Sequence, residues 1–393
     1  MESNGNKKRK RRFSDQQPEE AAPPPDRIDL SVIVPVYNME NYLGESLDSI
    51  LSQKVERLEV LVVDSGSTDN SRRVIKEYAK KNRAIRPIYS DTNLWASKAR
   101  NLAMEQARGQ YIAFCDADDT IPDNTYQKML KAARTGKADI VIGNYTHKYL
   151  DGIRNPVIYT RPDPFGRALE QNNISFCNKM FLRSFVGNTR FPVDMRTAED
   201  GLFTLDLYRK HPRISCLDDV VYVYTLEKAD REETKLHNQR DLSVNALQDS
   251  LTLLKRTFHE PILLNGEIWS EFYLSYLSFA FYNIWMKILD PDERGKGFES
   301  IKQTVLLLCR ENELCDFRCN GLDGSFAERF GIPFSDFCSL DYSSYIMLHT
   351  VKFGRDDRSV VNAFIYGCST GNIGLRTILS ALKGWLKHKL KKS

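Results

Sequence analysis

The sequence has few of the features that would place it in a specialised class of proteins. Eight cysteines in 393 residues are too few for a disulfide scaffold, and we expect free thiols in a reducing compartment. The formal net charge of +4 is small for this length, so no nucleic-acid partner is expected. No apolar signal-peptide core follows Met1, and we therefore expect the protein in the cytoplasm.

Long apolar runs without charges are also missing. The most hydrophobic segment, Ile268 to Leu289, contains Glu271, Asn283 and Lys287. Because charged side chains are costly inside a bilayer, a buried aromatic helix explains this segment better than a membrane span. Neither a GxGxxG motif nor a P-loop follows the first apolar run. A phosphate-containing ligand would therefore need another counter-charge, such as a metal ion.

The two ends of the chain are basic. Residues 1–27 carry the basic run Lys7 to Arg12 and then proline-rich sequence, a composition typical of a disordered tail. The run is a nuclear localisation signal, a patch for anionic surfaces or an ordinary solvated tail. Leu375 to Lys392 has an apolar face and many lysines elsewhere. It is either an interfacial helix that gives peripheral contact with an anionic membrane, or a helix docked on its own domain.

From Leu30 onwards, short apolar runs alternate with segments of helical periodicity. The pattern predicts strands at Ser31–Asn38, Leu58–Val63, Ile85–Tyr89, Tyr111–Cys115 and Asp139–Gly143. It predicts helices at Tyr42–Leu51, Ser71–Ala79, Ser97–Ala107 and Tyr126–Ala133. Continuous apolar strands between amphipathic helices indicate an α/β fold, with a mostly parallel sheet covered by helices on both faces.

One of these strands runs into a cluster of carboxylates, the acidic turn Asp116–Asp119. Only Ala117 separates Asp116 from Asp118, so a turn could direct both carboxylates at one hard cation such as Mg²⁺ or Mn²⁺. Taken alone, acidic residues after a strand equally well cap the next helix or face solvent. The metal interpretation therefore depends on the surrounding residues.

Polar residues also follow the two earlier strands. Tyr37 and Asn38 come after the first strand, and Asp64 comes after the second. In parallel α/β sheets, ligands bind beyond the carboxyl ends of the strands. We therefore expect these residues to line one crevice together with the acidic turn.

Three stretches, in this order, resemble glycosyltransferase family 2, the inverting GT-A enzymes that use nucleotide-sugar donors. They are VIVPVYN with the following YLGESLDSIL, then VLVVDSGSTDNS, then KARNLAMEQARGQYIAFCDADD, and they cover about Ser31 to Ile121. The resemblance implies a GT-A fold and a glycosyltransferase of the hexosyltransferase type in polysaccharide biosynthesis. It implies a nucleotide-sugar donor, which we expect to be UDP-linked, and a glycan or lipid-linked acceptor.

The resemblance also implies roles for individual residues. Asp64 would contact the base of the donor, and the wall of the base pocket would consist of Pro35, Val36 and Tyr37. Asp116 and Asp118 would form the DXD motif, in which one carboxylate approaches the ribose and the other binds Mn²⁺ or Mg²⁺. Arg100 either assists near the donor phosphates or braces the acidic turn.

Two later stretches resemble further elements of the family. They are FCNKMFLRSF at Phe176–Phe185 and TAEDGLFTLDLY at Thr197–Tyr208. The second implies that Asp200 is the catalytic base, with Glu199 beside it. Without the resemblance, Glu199 and Asp200 would be explained as carboxylates favoured at a helix N-terminus by the helix dipole.

The chain departs from the family pattern at several positions. Ser65 stands where a second Asp is usual, and Trp95 stands where Gly is usual. A bulky aromatic side chain there would reshape the donor pocket or stack on a sugar. Arg231 and His237 have a different spacing from the Arg-x-His-type loop of many members, and an ordinary surface histidine is the simpler interpretation of His237.

Two alternatives to an active glycosyltransferase stay open. A nucleotidyltransferase would also join an α/β sheet to acidic metal ligands, but it would need a glycine-rich loop near the first strand. A glycosyltransferase-like binding or scaffold protein without activity is suggested by Ser65 and Trp95.

The expected organisation has three parts: a tail at 1–27, a GT-A domain at 28–235 and a helical region at 236–393. Helical periodicity in the last part covers Leu242–Phe258, Ile268–Leu289 and Phe298–Leu308.

Overall fold

A computed structural model describes residues 27–149, 152–153, 174–226, 244–259, 276–277, 280, 288 and 290–311. Several sequence-based predictions lie outside these ranges and stay predictions. They are the basic run Lys7–Arg12, the candidate contacts Arg231 and His237, the basic helix Leu375–Lys392 and nearly all of the aromatic segment Ile268–Leu289.

The described residues form eight strands and eight helices. The strands are β1 (Leu30–Val36), β2 (Leu58–Ser65), β3 (Ile85–Ser90), β4 (Tyr111–Phe114), β5 (Ile140–Tyr149), β6 (Gly152–Ile153), β7 (Lys179–Leu182) and β8 (Ile214–Thr225). The helices are α1 (Leu43–Leu51), α2 (Ser71–Lys81), α3 (Trp95–Gln106), α4 (Thr125–Thr135), α5 (Arg183–Val186), α6 (Glu199–Tyr208), α7 (Val244–His259) and α8 (Pro291–Glu311). The nine elements predicted before residue 143 are all present.

The strands belong to one sheet with the order β3-β2-β1-β4-β7-β5-β6, and β8 pairs with β5. Pairing is parallel from β3 through β4 and between β5 and β8. Strand β7 is antiparallel to both β4 and β5. The predicted α/β fold with a mostly parallel sheet is confirmed, and the antiparallel strand β7 was not predicted.

The alternation of side chains along β1 divides the core into two layers. Val32 and Val34 pack on the side of α1, α2 and α4, whereas Ile33 packs on the side of α3, α6 and α7. Successive strand residues point to opposite faces, so a strand covered on both sides is apolar throughout. Helices α3 and α6 therefore share one face of the sheet, which brings their first turns to the same side of the crevice.

A buried carboxylate ties three strands together at the opposite, amino-terminal end of the sheet. Glu59 is 1% exposed and accepts hydrogen bonds from Ser31 Oγ at 2.6 Å, the Arg108 backbone N–H at 2.6 Å and Arg86 Nη1 at 2.7 Å. Burial raises the pKa of Glu59, but these hydrogen bonds outweigh burial and leave the pKa below its ordinary value.

Candidate active site

The polar strand ends that the sequence predicts to line one crevice lie at the same edge of the sheet. Strands β2, β1 and β4 are neighbours, and Val36 at the end of β1 pairs in register with Asp64 near the end of β2. The acidic turn begins two residues after β4 ends at Phe114. All three polar strand ends therefore meet at one edge of the sheet.

The three residues of the predicted base-pocket wall have different environments. The Tyr37 side chain is 42% exposed at the crevice, and Pro35 is half-buried. The side chain of Val36 is fully buried in the core beside α1. Tyr37 and Pro35 are therefore the members of the wall whose side chains reach the surface.

Asp64 is fully buried, and its two carboxylate oxygens already accept hydrogen bonds. Arg72 Nε donates to Oδ2 at 2.6 Å, and the Ser67 backbone N–H donates to Oδ1 at 3.1 Å. The guanidinium of Arg72 also lies 5.3 Å from the centre of the Tyr89 ring. A carboxylate has about four lone-pair sites, so Asp64 retains capacity for a further donor such as a base N–H. Arg72 and Tyr89 were not identified from the sequence.

The acidic turn is anchored to β8 through its last carboxylate. Tyr222 donates its hydroxyl to Asp119 Oδ2 at 2.6 Å, and the Thr225 backbone N–H donates to Asp119 Oδ1 at 2.7 Å. Burial, together with the charges of Asp118 and Asp116, raises the pKa of Asp119 well above its ordinary value. Asp119 is therefore a structural member of the turn.

Arg100 joins the acidic turn to the start of α6. Its Nη2 donates to Asp116 Oδ1 at 2.8 Å, and its Nη1 donates to Glu199 Oε1 at 3.0 Å. The side chain is only 6% exposed, and its guanidinium lies 4.4 Å from the centre of the Phe176 ring. The sequence left two roles open for Arg100, assistance near the donor phosphates and bracing of the acidic turn. The structure shows the contact with the acidic turn.

This ion pair affects the protonation of the acidic residues. Burial and the neighbouring Asp200 raise the pKa of Glu199 to about 7, although Arg100 opposes the shift. Burial also raises the pKa of Asp200, against the hydrogen bond that its Oδ1 accepts from the Gly201 N–H and the charge of Arg100. A carboxylate with a raised pKa is better suited to accept a proton near neutral pH.

The segment before α6 is held in an unusual conformation. Ala198, immediately before Glu199, has a φ of +61°, a left-handed value that costs a residue with a Cβ roughly 1–3 kcal/mol. Asp249 on α7 stabilises this segment, because its Oδ2 accepts the backbone N–H groups of Arg196 at 2.9 Å and Thr197 at 3.1 Å. Sequence reasoning missed Asp249, because nothing local links it to the motif.

Two of the departures from the family pattern, Ser65 and Trp95, are linked in space. Ser65 Oγ accepts the Leu94 backbone N–H at 2.6 Å, and Asn93 Oδ1 accepts the Trp95 N–H at 2.8 Å. Trp95 has a φ of +60°, which glycine adopts freely and a bulky side chain rarely does. The backbone at this position thus explains why glycine is favoured there.

The carboxylates of the acidic turn differ in their surroundings, which decides how they could hold a metal ion. The Asp116 side chain is 24% exposed at the crevice, Asp118 is buried beside it, and Asp119 is engaged by β8. Within the described ranges no three His, Cys, Asp or Glu residues converge as a ready-made metal cage. Mg²⁺ commonly takes only one or two carboxylates and completes its shell with substrate phosphates and water. Asp116 and Asp118 fit that kind of site.

No helix in the described part of the chain is long and apolar enough to cross a membrane.

Comparisons with known proteins agree with this architecture. Residues 31–187 match the model of glycosyl transferase family 2. An uncharacterized glycosyltransferase of Haemophilus influenzae is 30% identical over 182 residues, which are 46% of this chain and 72% of that protein. The glycosyltransferase EpsJ of Bacillus subtilis, also uncharacterized, is 31% identical over 212 residues, which are 50% of this chain and 60% of EpsJ.

A third relative has a solved structure. Staphylococcus aureus TarS, a poly(ribitol-phosphate) β-N-acetylglucosaminyltransferase, is 29% identical over 206 residues, which are 50% of this chain and 35% of TarS. The crystal structure of TarS residues 1–349 with UDP-GlcNAc superimposes with a TM-score of 0.58 at 21% identity, covering 88% of this chain and 92% of that one. The chain spans less than two thirds of EpsJ and of TarS. The GT-A fold is nevertheless confirmed, and the chain belongs to glycosyltransferase family 2.

Proposed function

We propose that this protein is a metal-dependent, inverting glycosyltransferase. It moves a sugar from a nucleotide-sugar donor, UDP-linked, to a hydroxyl of a glycan or lipid-linked acceptor. Family membership supports the reaction class, and the UDP-GlcNAc bound to TarS supports the choice of donor. Because the relatives are longer than the matched region, the activity is a proposal for this chain.

The observation that carries the proposal is the bridge made by Arg100. One guanidinium contacts Asp116 of the acidic turn and Glu199 at the start of α6, although Glu199 lies 99 positions along the chain from Arg100. The proposed donor-binding carboxylates and the proposed base therefore belong to one site. A scaffold protein would not require this convergence.

The chemistry follows from the residues at that site. The acceptor oxygen attacks the anomeric carbon, and the bond from that carbon to the diphosphate oxygen breaks on the opposite side, which inverts the configuration. Asp200 takes the proton of the acceptor hydroxyl, while the diphosphate leaves with the bonding electron pair. Glu199 is held by Arg100, so Asp200 is the better assignment for the base. Mn²⁺ or Mg²⁺, when bound at Asp116 and Asp118, supplies positive charge to the departing diphosphate.

Hydrolysis of UDP- and GDP-sugars with Mn²⁺ or Mg²⁺ tests the proposal. Asp118→Ala should abolish metal-dependent turnover. Asp200→Asn should lower the rate of hydrolysis, in which water replaces the acceptor hydroxyl, about 10²- to 10⁴-fold, the usual contribution of a general base, and should still bind UDP. The control is Asp123→Asn, an exposed aspartate just beyond the turn, which should match the wild type.

Two results would contradict the assignments. Turnover by Asp200→Asn close to that of the wild type would remove Asp200 as the base. A wild-type protein with neither turnover nor metal-dependent nucleotide binding would favour the scaffold alternative.

A further inference from the structure

An exposed aromatic side chain stands at the rim of the site without a role in the reaction described above. The Trp95 side chain is 53% exposed at the first residue of α3. The guanidinium of Arg196 lies 4.3 Å from the centre of the indole ring, a typical cation–π arrangement. Tryptophan is enriched at interfaces, because its ring is apolar and its N–H can still find a polar partner.

The backbone of Trp95 is held in a strained conformation by the surrounding hydrogen bonds, which indicates that its exposed position has a role. Its φ of +60° is strained for a tryptophan, and the turn before it is held by Ser65 and Asn93. The Ser65 hydroxyl also lies 3.3 Å from Asn93 Oδ1. Strain that the surrounding hydrogen bonds maintain is most often found at functional positions.

Trp95 and Arg196 both lie near the residues proposed to act on the acceptor. Trp95 precedes Arg100 by five residues on α3, a rise of about 7.5 Å along the helix, and Arg196 precedes Glu199 by three residues. Their chain neighbours Leu94 and Met195 pack in the core on the face of the sheet covered by α3, α6 and α7. Asp200 is the second residue of α6, four positions after Arg196, so the pair lies close along the chain to the proposed base.

The positively charged side chain of Arg196 is exposed beside Trp95. Its backbone is fixed by Asp249, and its side chain is exposed. In the portion of the chain that the structure covers, no carboxylate forms an ion pair with Arg196. The planar guanidinium binds phosphate and carboxylate groups well.

We propose that Trp95 and Arg196 form an acceptor subsite for a sugar that carries a phosphate or carboxylate group. The open face of the indole stacks on the C–H face of the sugar ring, and Arg196 binds the anionic group. This inference rests on the proposed function, because it assigns the pair to the acceptor of that reaction.

Ligand-observed NMR with two probes tests the subsite: methyl β-glucoside, which is neutral, and glucose 6-phosphate. Trp95→Gly should weaken binding of both probes about tenfold, as expected when one stacking contact is lost. Arg196→Met should weaken only glucose 6-phosphate. Trp95→Gly removes the left-handed strain, so we expect it to fold at least as well as the wild type.

The control is Arg73→Gln, an exposed arginine on α2 that pairs with Glu77; it should leave both affinities unchanged. The subsite would be overturned if the wild type, Trp95→Gly and Arg196→Met all bound glucose 6-phosphate equally well. It would also be overturned if the wild type hydrolysed a UDP-sugar but bound neither probe. Sugar binding that depends on Trp95 in a protein without donor turnover would instead refute the proposed function; Trp95 and Arg196 would then form a sugar-binding site, and their assignment to an acceptor would be wrong.

Discussion

Replacing Arg100 with methionine tests whether the bridge between the acidic turn and α6 contributes to stability. Methionine has a similar length and keeps the packing of the side chain against Phe176, but it removes the charge and both hydrogen bonds. Asp116 and Glu199, whose side chains are 24% and 13% exposed, would lose their cationic partner. The variant therefore isolates the electrostatic part of the contact.

The expected loss can be estimated from the geometry. Removing one partner of a buried ion pair costs about 3–5 kcal/mol, because a buried charge is left uncompensated. The partial exposure of Asp116 favours the lower end of that range, and the lost cation–π contact with Phe176 at 4.4 Å adds about 1 kcal/mol. We expect Arg100→Met to lower the free energy of unfolding by about 3–4 kcal/mol near neutral pH.

The loss should depend on pH. Without Arg100, the folded-state pKa of Glu199 rises further above its unfolded value, so the folded protein binds a proton that the unfolded chain releases. Stability of the variant then falls as pH rises through that window, and the deficit against the wild type is smaller at about pH 5.5 than at about pH 8.

Urea unfolding at the two pH values measures this difference, with Arg73→Met as the exposed-arginine control. A double variant, Arg100→Met with Glu199→Gln, should recover part of the loss, because the orphaned carboxylate is removed. A single variant within about 1 kcal/mol of the wild type at about pH 8, or a deficit that does not change with pH, would refute the reasoning.

Two other positions have expected outcomes. Glu59→Gln should lower the free energy of unfolding by about 2 kcal/mol, since hydrogen bonds to a buried charge are lost. Because the pKa of Glu59 is lowered in the folded protein, this difference exists above about pH 4.5 and disappears in acid. Urea titrations that show the same deficit at about pH 3 would contradict the prediction. Asp249→Ala should lower kcat about 10- to 100-fold by releasing the segment before Asp200. Asp249→Asn keeps an acceptor oxygen and should therefore retain most of the wild-type rate. Equal rates for Asp249→Ala and the wild type would exclude this positioning role.

The parts of the site that follow strand ends were accessible from the sequence. A parallel strand buried on both faces is a continuous apolar run, so its end is visible where the first polar residue appears. Asp64 and Asp116 were located in this way, and the structure brings them to one edge of the sheet. The strand β7 was harder to find, because its four residues are too short to show a period.

The contacts between distant segments were not accessible. Asp119 resembles its neighbours in the acidic turn, and only its hydrogen bonds with Tyr222 and Thr225, 103 and 106 positions away, distinguish it as structural. The contact of Arg72 with Asp64 spans only eight positions, but the periodicity of α2 does not show that the Arg72 side chain points back to the end of β2.

The sequence by itself determined the alternation of strands and helices, the edge at which the polar residues gather and the family to which the chain belongs. The first two depend on local patterns of burial, which hydrophobic spacing reports directly, whereas the family follows from the residues and order of the motifs between Ser31 and Tyr208. The tertiary structure alone decided that Arg100 pairs with Asp116 and Glu199, and that Trp95 is held in a strained, exposed conformation under Arg196. These features depend on how the helices and strands pack together, because only that packing brings Glu199 to Arg100, 99 positions away, and Arg196 to Trp95.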